Sequence, residues 1–84
     1  MKVGLYVVKD VVAQVYCAPL VARTELAASR QYILMLKEGK FRQEDFELYQ
    51  IGTYDEDTGL ANTHAPVKVV PVYKKDADLV EVMP

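Results

Sequence analysis

Apolar and polar positions along the chain change period twice, and each change marks an element. Val3 to Val8, VGLYVV, is a β-branched and aromatic run and predicts a first strand. Lys9-Asp10 reads as a turn. Val12 to Tyr16, VAQVY, predicts a second strand with Val12, Gln14 and Tyr16 on one face and Ala13 and Val15 on the other. Pro19 has no backbone donor and stops regular pairing. The two strands are expected to form an antiparallel hairpin.

The period then becomes helical. Residues 25–38 run without Gly or Pro, behind Thr24 as N-cap and with Glu25 in the first turn, where the helix dipole favours an acid. Gly39 is the expected stop, with Lys37 and Lys40 near the negative end of the dipole. Leu26, Ala28, Tyr32, Ile33, Met35 and Leu36 cover about half the helix surface at 100° per residue, a face wide enough to pack on a sheet.

Alternation returns at Phe46 to Tyr54, FELYQIGTY, a third strand. Asp55 to Gly59, DEDTG, is a turn in which Gly59 supplies positive φ. Leu60 to Ala65 reads either as a short returning strand or as an irregular loop. Val67 to Tyr73 is strand-like, but Pro71 assigns it to an edge or an end. The order predicts an α+β fold, a small ββαββ-type domain with one helix (about 24–38) on a mainly antiparallel sheet. Residues 1–73 form the expected domain, and 74–84 an acidic C-terminal tail or dimer arm.

Eighty-four residues make one small domain, whose own core supplies roughly 3–5 kcal/mol. Such domains lean on crosslinks or partners. Cys17 is the only cysteine, which excludes an internal disulfide and a cysteine-based metal site. Self-association is therefore expected. No apolar run approaches the roughly 20 residues that span a bilayer, and Lys9-Asp10 cuts short the N-terminal apolar run. The expectation is a protein of a reducing cytoplasm with no membrane partner.

The net charge of −2 conceals an asymmetry. Residues 1–43 carry seven Lys/Arg against three Asp/Glu, a net +4, and residues 44–84 carry three against nine, a net −6. That balance excludes an overall basic nucleic-acid binder and leaves room for one local basic face. Catalysis finds little support. Cys17 and His64 have no third group to make a triad and are expected as a small buried hydrophobe and a loop residue. The four glycines are isolated, so no phosphate-cradling loop is spelled. Asp55, Glu56 and Asp57 lack the spacing of a calcium loop. No enzyme, no cofactor and no metal are expected.

One constellation has the right chemistry for a ligand. Arg23, Arg30 and Lys37 are seven apart, one stripe on a helix, and Lys40 and Arg42 extend it. Cations at such spacing suit phosphates, and Tyr6, Tyr16 and Tyr49 are rings on which unpaired bases stack. The same cations are also an ordinary solvated edge that snorkels over the core.

Three segments carry a resemblance. They are VKDVVAQVYCAP around Val8, Asp10, Ala13, Tyr16 and Pro19; TELAASR at Thr24 to Arg30; and DFELYQIGTYDEDTG at Asp45 to Gly59. Together they span most of residues 5–70, and the last is the most specific. The chain resembles the small nonstructural proteins of gokushovirus-type microviruses, phages with circular single-stranded DNA. The resemblance implies a non-enzymatic DNA-binding protein that assists phage genome synthesis or packaging in the host cytoplasm. Its implied partners are the single-stranded genome and viral replication or capsid proteins. It assigns no binding residues. The competing expectation is a homo-oligomeric adaptor whose strand edges pair with another chain; a domain with no ligand is the third.

Overall fold

The computed structural model describes residues 1–71. Strand β1 (Lys2–Asp10) is the centre of a five-stranded antiparallel sheet. On one flank it pairs along its whole length with β4 (Phe46–Asp55), which pairs in turn with β5 (Ala61–Val69). Its other flank is shared by two short strands. β2 (Val15–Tyr16) pairs at Lys9 and Asp10, and β3 (Leu20–Ala22) pairs at Gly4 to Tyr6. Helix α1 (Glu25–Gly39) covers one sheet face, and a 3-10 turn at Gln43–Asp45 leads into β4. The α+β class read from the sequence is the observed one.

The alternation of β1 decides which side chains meet the helix. Tyr6 and Val8 point to the helix with Ala22, Leu48 and Val69, and they close on Ala28, Tyr32, Ile33 and Leu36. The Tyr32 hydroxyl donates to the Phe46 carbonyl at 2.8 Å, which satisfies a polar tip at the edge of this core. Ser29 is fully buried, and its hydroxyl finds no partner among the described residues. Leu26, expected on the packed face, is half exposed.

Both helix ends follow local rules. The Thr24 side chain accepts from the Ala27 amide at 3.0 Å. Gly39 is the last helical residue, and Lys40 rather than a glycine takes the left-handed position at φ 56°. Its backbone amide returns to the Lys37 carbonyl at 3.2 Å, and the Phe41 amide to the Leu36 carbonyl at 2.9 Å.

The strand boundaries differ from the sequence reading in three places. The first turn lies at 11–14, not at Lys9-Asp10, so only Val15 and Tyr16 of the expected 12–16 strand pair. The Asp10 carboxylate accepts from the Ala13 amide at 3.0 Å and fixes that turn. After Pro19 the chain pairs again as β3, because a proline ends one ladder without preventing the next. Of the two readings for 60–65, the strand is the observed one. It continues to Val69 as a single element, interrupted by a register shift that places Pro66 where no ladder bond is needed. The expected 67–73 strand thus ends at Val69 within the described residues; positions 72 and 73 and the 74–84 tail lie outside them.

Opposite that shift, β4 carries its own extra residue between Gln50 and Gly52. Gly52 sits at φ +154°, and a Cβ there would lie 2.0 Å from the Asn62 carbonyl oxygen. Glycine is required because β5 crosses against its backbone. Gly59, at φ +77°, turns the chain into β5 as expected. Its amide donates to the Asp55 carbonyl at 2.8 Å, and the Asp55 amide to the Leu60 carbonyl at 2.8 Å.

Candidate nucleic-acid interface

The sheet face that the helix leaves open carries the odd positions of β1 and their partners. Val7 pairs with Tyr49, and Tyr49 with Lys68; Lys9 pairs with Tyr16 on one side and Glu47 on the other. Across β1, the rings of Tyr16 and Tyr49 meet edge to face, with centroids 5.8 Å apart and planes at 68°. Val7, the ladder partner of Tyr49, is 4% exposed although no helix covers it. Tyr16 remains 48% exposed.

Charge is arranged around the rings. Lys9 Nζ stands 5.4 Å from the Tyr16 ring centroid, a cation–π contact. Lys68 Nζ lies 3.2 Å from a Glu47 carboxylate oxygen. The other Glu47 oxygen accepts from the Tyr49 hydroxyl at 2.6 Å. That bond, followed by desolvation and the charge of Glu47, pushes the Tyr49 phenol up to about 12. Glu47 itself is held below the usual carboxylate range, first by the Tyr49 hydrogen bond and then by Lys68. The face therefore offers two fixed rings, with a cation on the strand at either side of β4 and one acid between them.

Of the tyrosines singled out in the sequence, Tyr16 and Tyr49 come together here, and Tyr6 does not. Tyr6 is 2% exposed on the helix side, so its ring is core and not a stacking surface. Lys9 and Lys68 were not recognised from sequence. Lys9 looked like a turn residue, and Lys68 gains its position only from the register of β5 against Tyr49.

The basic stripe lies on the other side of the molecule and is shorter than expected. Arg30, Lys37 and Lys40 are exposed on α1 and its exit and form no ion pair among the described residues. Arg23 does not join them. Its approach to the helix is extended, with Thr24 at φ −141° and ψ 164°, and its guanidinium reaches Glu56 at 3.6 Å and the Met1 sulfur. Arg42 is occupied by Glu44, which raises the guanidinium and lowers the carboxyl. Rings and stripe are thus on opposite faces.

The acidic turn has local partners. Asp55 and Asp57 receive the Met1 ammonium, and Asp55 Oδ1 accepts from the Asp57 amide at 2.9 Å. That backbone bond leads the causes that hold Asp55 below its ordinary value. Among the described residues no group of three or more His, Cys, Asp or Glu is placed to hold a metal ion, and no helix is long and apolar enough to cross a membrane. Cys17, expected to be buried, is exposed. It lies just past β2, where its amide donates to the Val8 carbonyl at 2.8 Å while its side chain lies beyond the helix-covered core.

No curated protein and no solved structure matches the chain. The family model described as phage ORF5 protein matches residues 3–75, a span that takes in the described helix and strands except for Lys2. The chain belongs to the phage ORF5 protein family.

Proposed function

We propose that this phage protein is a non-enzymatic binder of single-stranded DNA that assists genome synthesis or packaging in the host cytoplasm, and that it binds through the open face of its sheet. The observation that carries the proposal is the Tyr16–Tyr49 pair with Lys9 and Lys68 beside it. Rings that present their faces or edges to solvent accept unpaired bases of any sequence, and flanking cations accept the phosphates. The resemblance of the three quoted segments to gokushovirus-type nonstructural proteins supports the same direction. The net charge of −2 favours a local contact over wrapping of long duplex DNA. Association into a dimer would align two such faces and raise affinity through multivalency.

The test is binding of a labelled single-stranded oligonucleotide followed by anisotropy at several salt concentrations, with the mass of the free protein measured alongside. Micromolar or tighter binding that weakens with salt, together with quenched tyrosine fluorescence, supports the proposal. A folded protein that binds nothing at low salt overturns it.

A second reading has its own observation. β5 is an outer strand, exposed along all its residues but Val69. Such an edge suits pairing with a strand of a replication or capsid protein. In that case Pro substitutions in β5 abolish function while Tyr16→Ala has no effect.

A further inference from the structure

Glu47 lies near the start of β4, between Lys9 and Lys68 and beside the Tyr49 ring. Lys9 faces it from β1, Lys68 reaches it from β5, and its carboxylate holds the Tyr49 hydroxyl. An acid between two cations of a phosphate-binding surface works against the ligand's own charge. It reduces the three charges of Lys9, Glu47 and Lys68 to a net of one positive. It also gives Lys68 an anionic partner before any nucleic acid arrives.

We propose that Glu47 is the residue that makes this face select unpaired strands over duplex DNA. The inference rests on the single-strand reading above and specifies its selectivity. A duplex buries the faces of its bases in its own stack, so it approaches the sheet as a rigid array of phosphates. Any phosphate brought over the rings meets the Glu47 carboxylate. An unpaired strand is flexible. It lays bases over Tyr16 and Tyr49 and turns its phosphates toward Lys9 and Lys68 and away from Glu47. The acid is costly to the first ligand and nearly neutral to the second. Through its hydrogen bond it also holds the Tyr49 ring in place for stacking.

The experiment compares wild type with Glu47→Gln on a single-stranded oligonucleotide and a hairpin duplex of equal length. Gln keeps an oxygen for the Tyr49 hydroxyl and removes only the charge. Duplex affinity is expected to rise several-fold at low salt. Its salt slope should steepen by about 0.9, so that it loses about three- to fourfold more between about 50 and 200 mM salt. Single-strand affinity should change by less than about twofold, so the preference for single strands falls. Glu47→Asp keeps the charge and is expected to keep the preference, which a merely structural role would not predict. If Glu47→Gln fails to fold, Glu47→Thr, a good strand former, carries the same expectation for duplex affinity and its salt slope. Wild-type binding to single strands with an unchanged preference in the variant overturns the role of Glu47 alone. No single-strand binding by either protein overturns the role together with the reading beneath it.

Discussion

Tyr16 and Tyr49 come from strands on opposite sides of β1, opposite Lys9 and Val7 respectively, and meet edge to face at 5.8 Å. The contact gives the uncovered sheet face a small apolar centre of its own, separate from the helix-side core. It also leaves half of the Tyr16 surface in solvent. Tyr16→Ala is expected to weaken single-strand binding by about 1–3 kcal/mol, the usual worth of one stacked base. Folding should be little affected. Anisotropy and thermal unfolding on the same sample separate the two effects; a large loss of stability with unchanged binding would contradict this assignment. Tyr6→Ala should behave in the opposite way, because removing a buried ring costs about 3–5 kcal/mol, comparable to the whole stability of a domain this size.

Gly52→Ala tests the crossing of β4 and β5. A Cβ would lie 2.0 Å from the Asn62 carbonyl oxygen, in a backbone conformation that suits glycine. The expected loss is about 2 kcal/mol or more, which lowers Tm by at least about 8 °C in a domain of this size. A variant that melts with wild type would show that the register of β5 is not as described.

Two helix positions should respond with opposite signs. Thr24→Ala removes the cap on the Ala27 amide and should cost about 1 kcal/mol. Ser29→Ala removes a buried hydroxyl that lacks a partner among the described residues. It places a better helix former in the core and should raise stability by about 1 kcal/mol. Denaturant midpoints report both. A destabilised Ser29→Ala would mean that the hydroxyl is bonded.

The pair Tyr49–Glu47 predicts a pH response at each end of the scale. The folded phenol is pushed up to about 12, against an ordinary 10.0 in the unfolded chain. The folded state therefore keeps a proton that the unfolded state has lost. Its stabilisation is complete below pH 10.0 and disappears as pH rises through about 12. Glu47 is shifted downward. Its contribution is complete above the ordinary carboxylate value and is lost as pH falls through the lowered folded value. Titration of tyrosinate absorbance should show a late phase that Glu47→Ala, which removes the acceptor, moves back toward the ordinary value; a titration identical in the two proteins would contradict the hydrogen bond.

Local chemistry made much of this legible in the sequence. Thr24, Glu25 and Gly39 bound the helix within a residue, and Gly59 turns the chain where its neighbours require it. What escaped depends on register. The alternation of VGLYVV is the same whichever face meets the helix, so it could not tell that Tyr6 is core while Val7 and Lys9 face outward. The stripe of Arg23, Arg30 and Lys37 assumed a helical approach, which the extended Thr24 denies. Lys68 acquired meaning only when the register of β5 set it against Tyr49. Cys17 was expected inside on the average behaviour of free cysteines, but it lies on the connection between two short edge strands.

The central claim is that the ring-bearing face of the sheet, and not the basic stripe of the helix, contacts single-stranded DNA. The most direct measurement is the salt dependence of oligonucleotide binding for two double variants, Lys9→Gln/Lys68→Gln on the sheet and Arg30→Gln/Lys37→Gln on the helix. Each removes two positive charges, so net charge is matched. The account predicts that the sheet variant binds weakly and loses about 0.7 of salt slope for each lysine, while the helix variant keeps a slope close to wild type. A helix variant that loses binding while the sheet variant retains it would contradict the account.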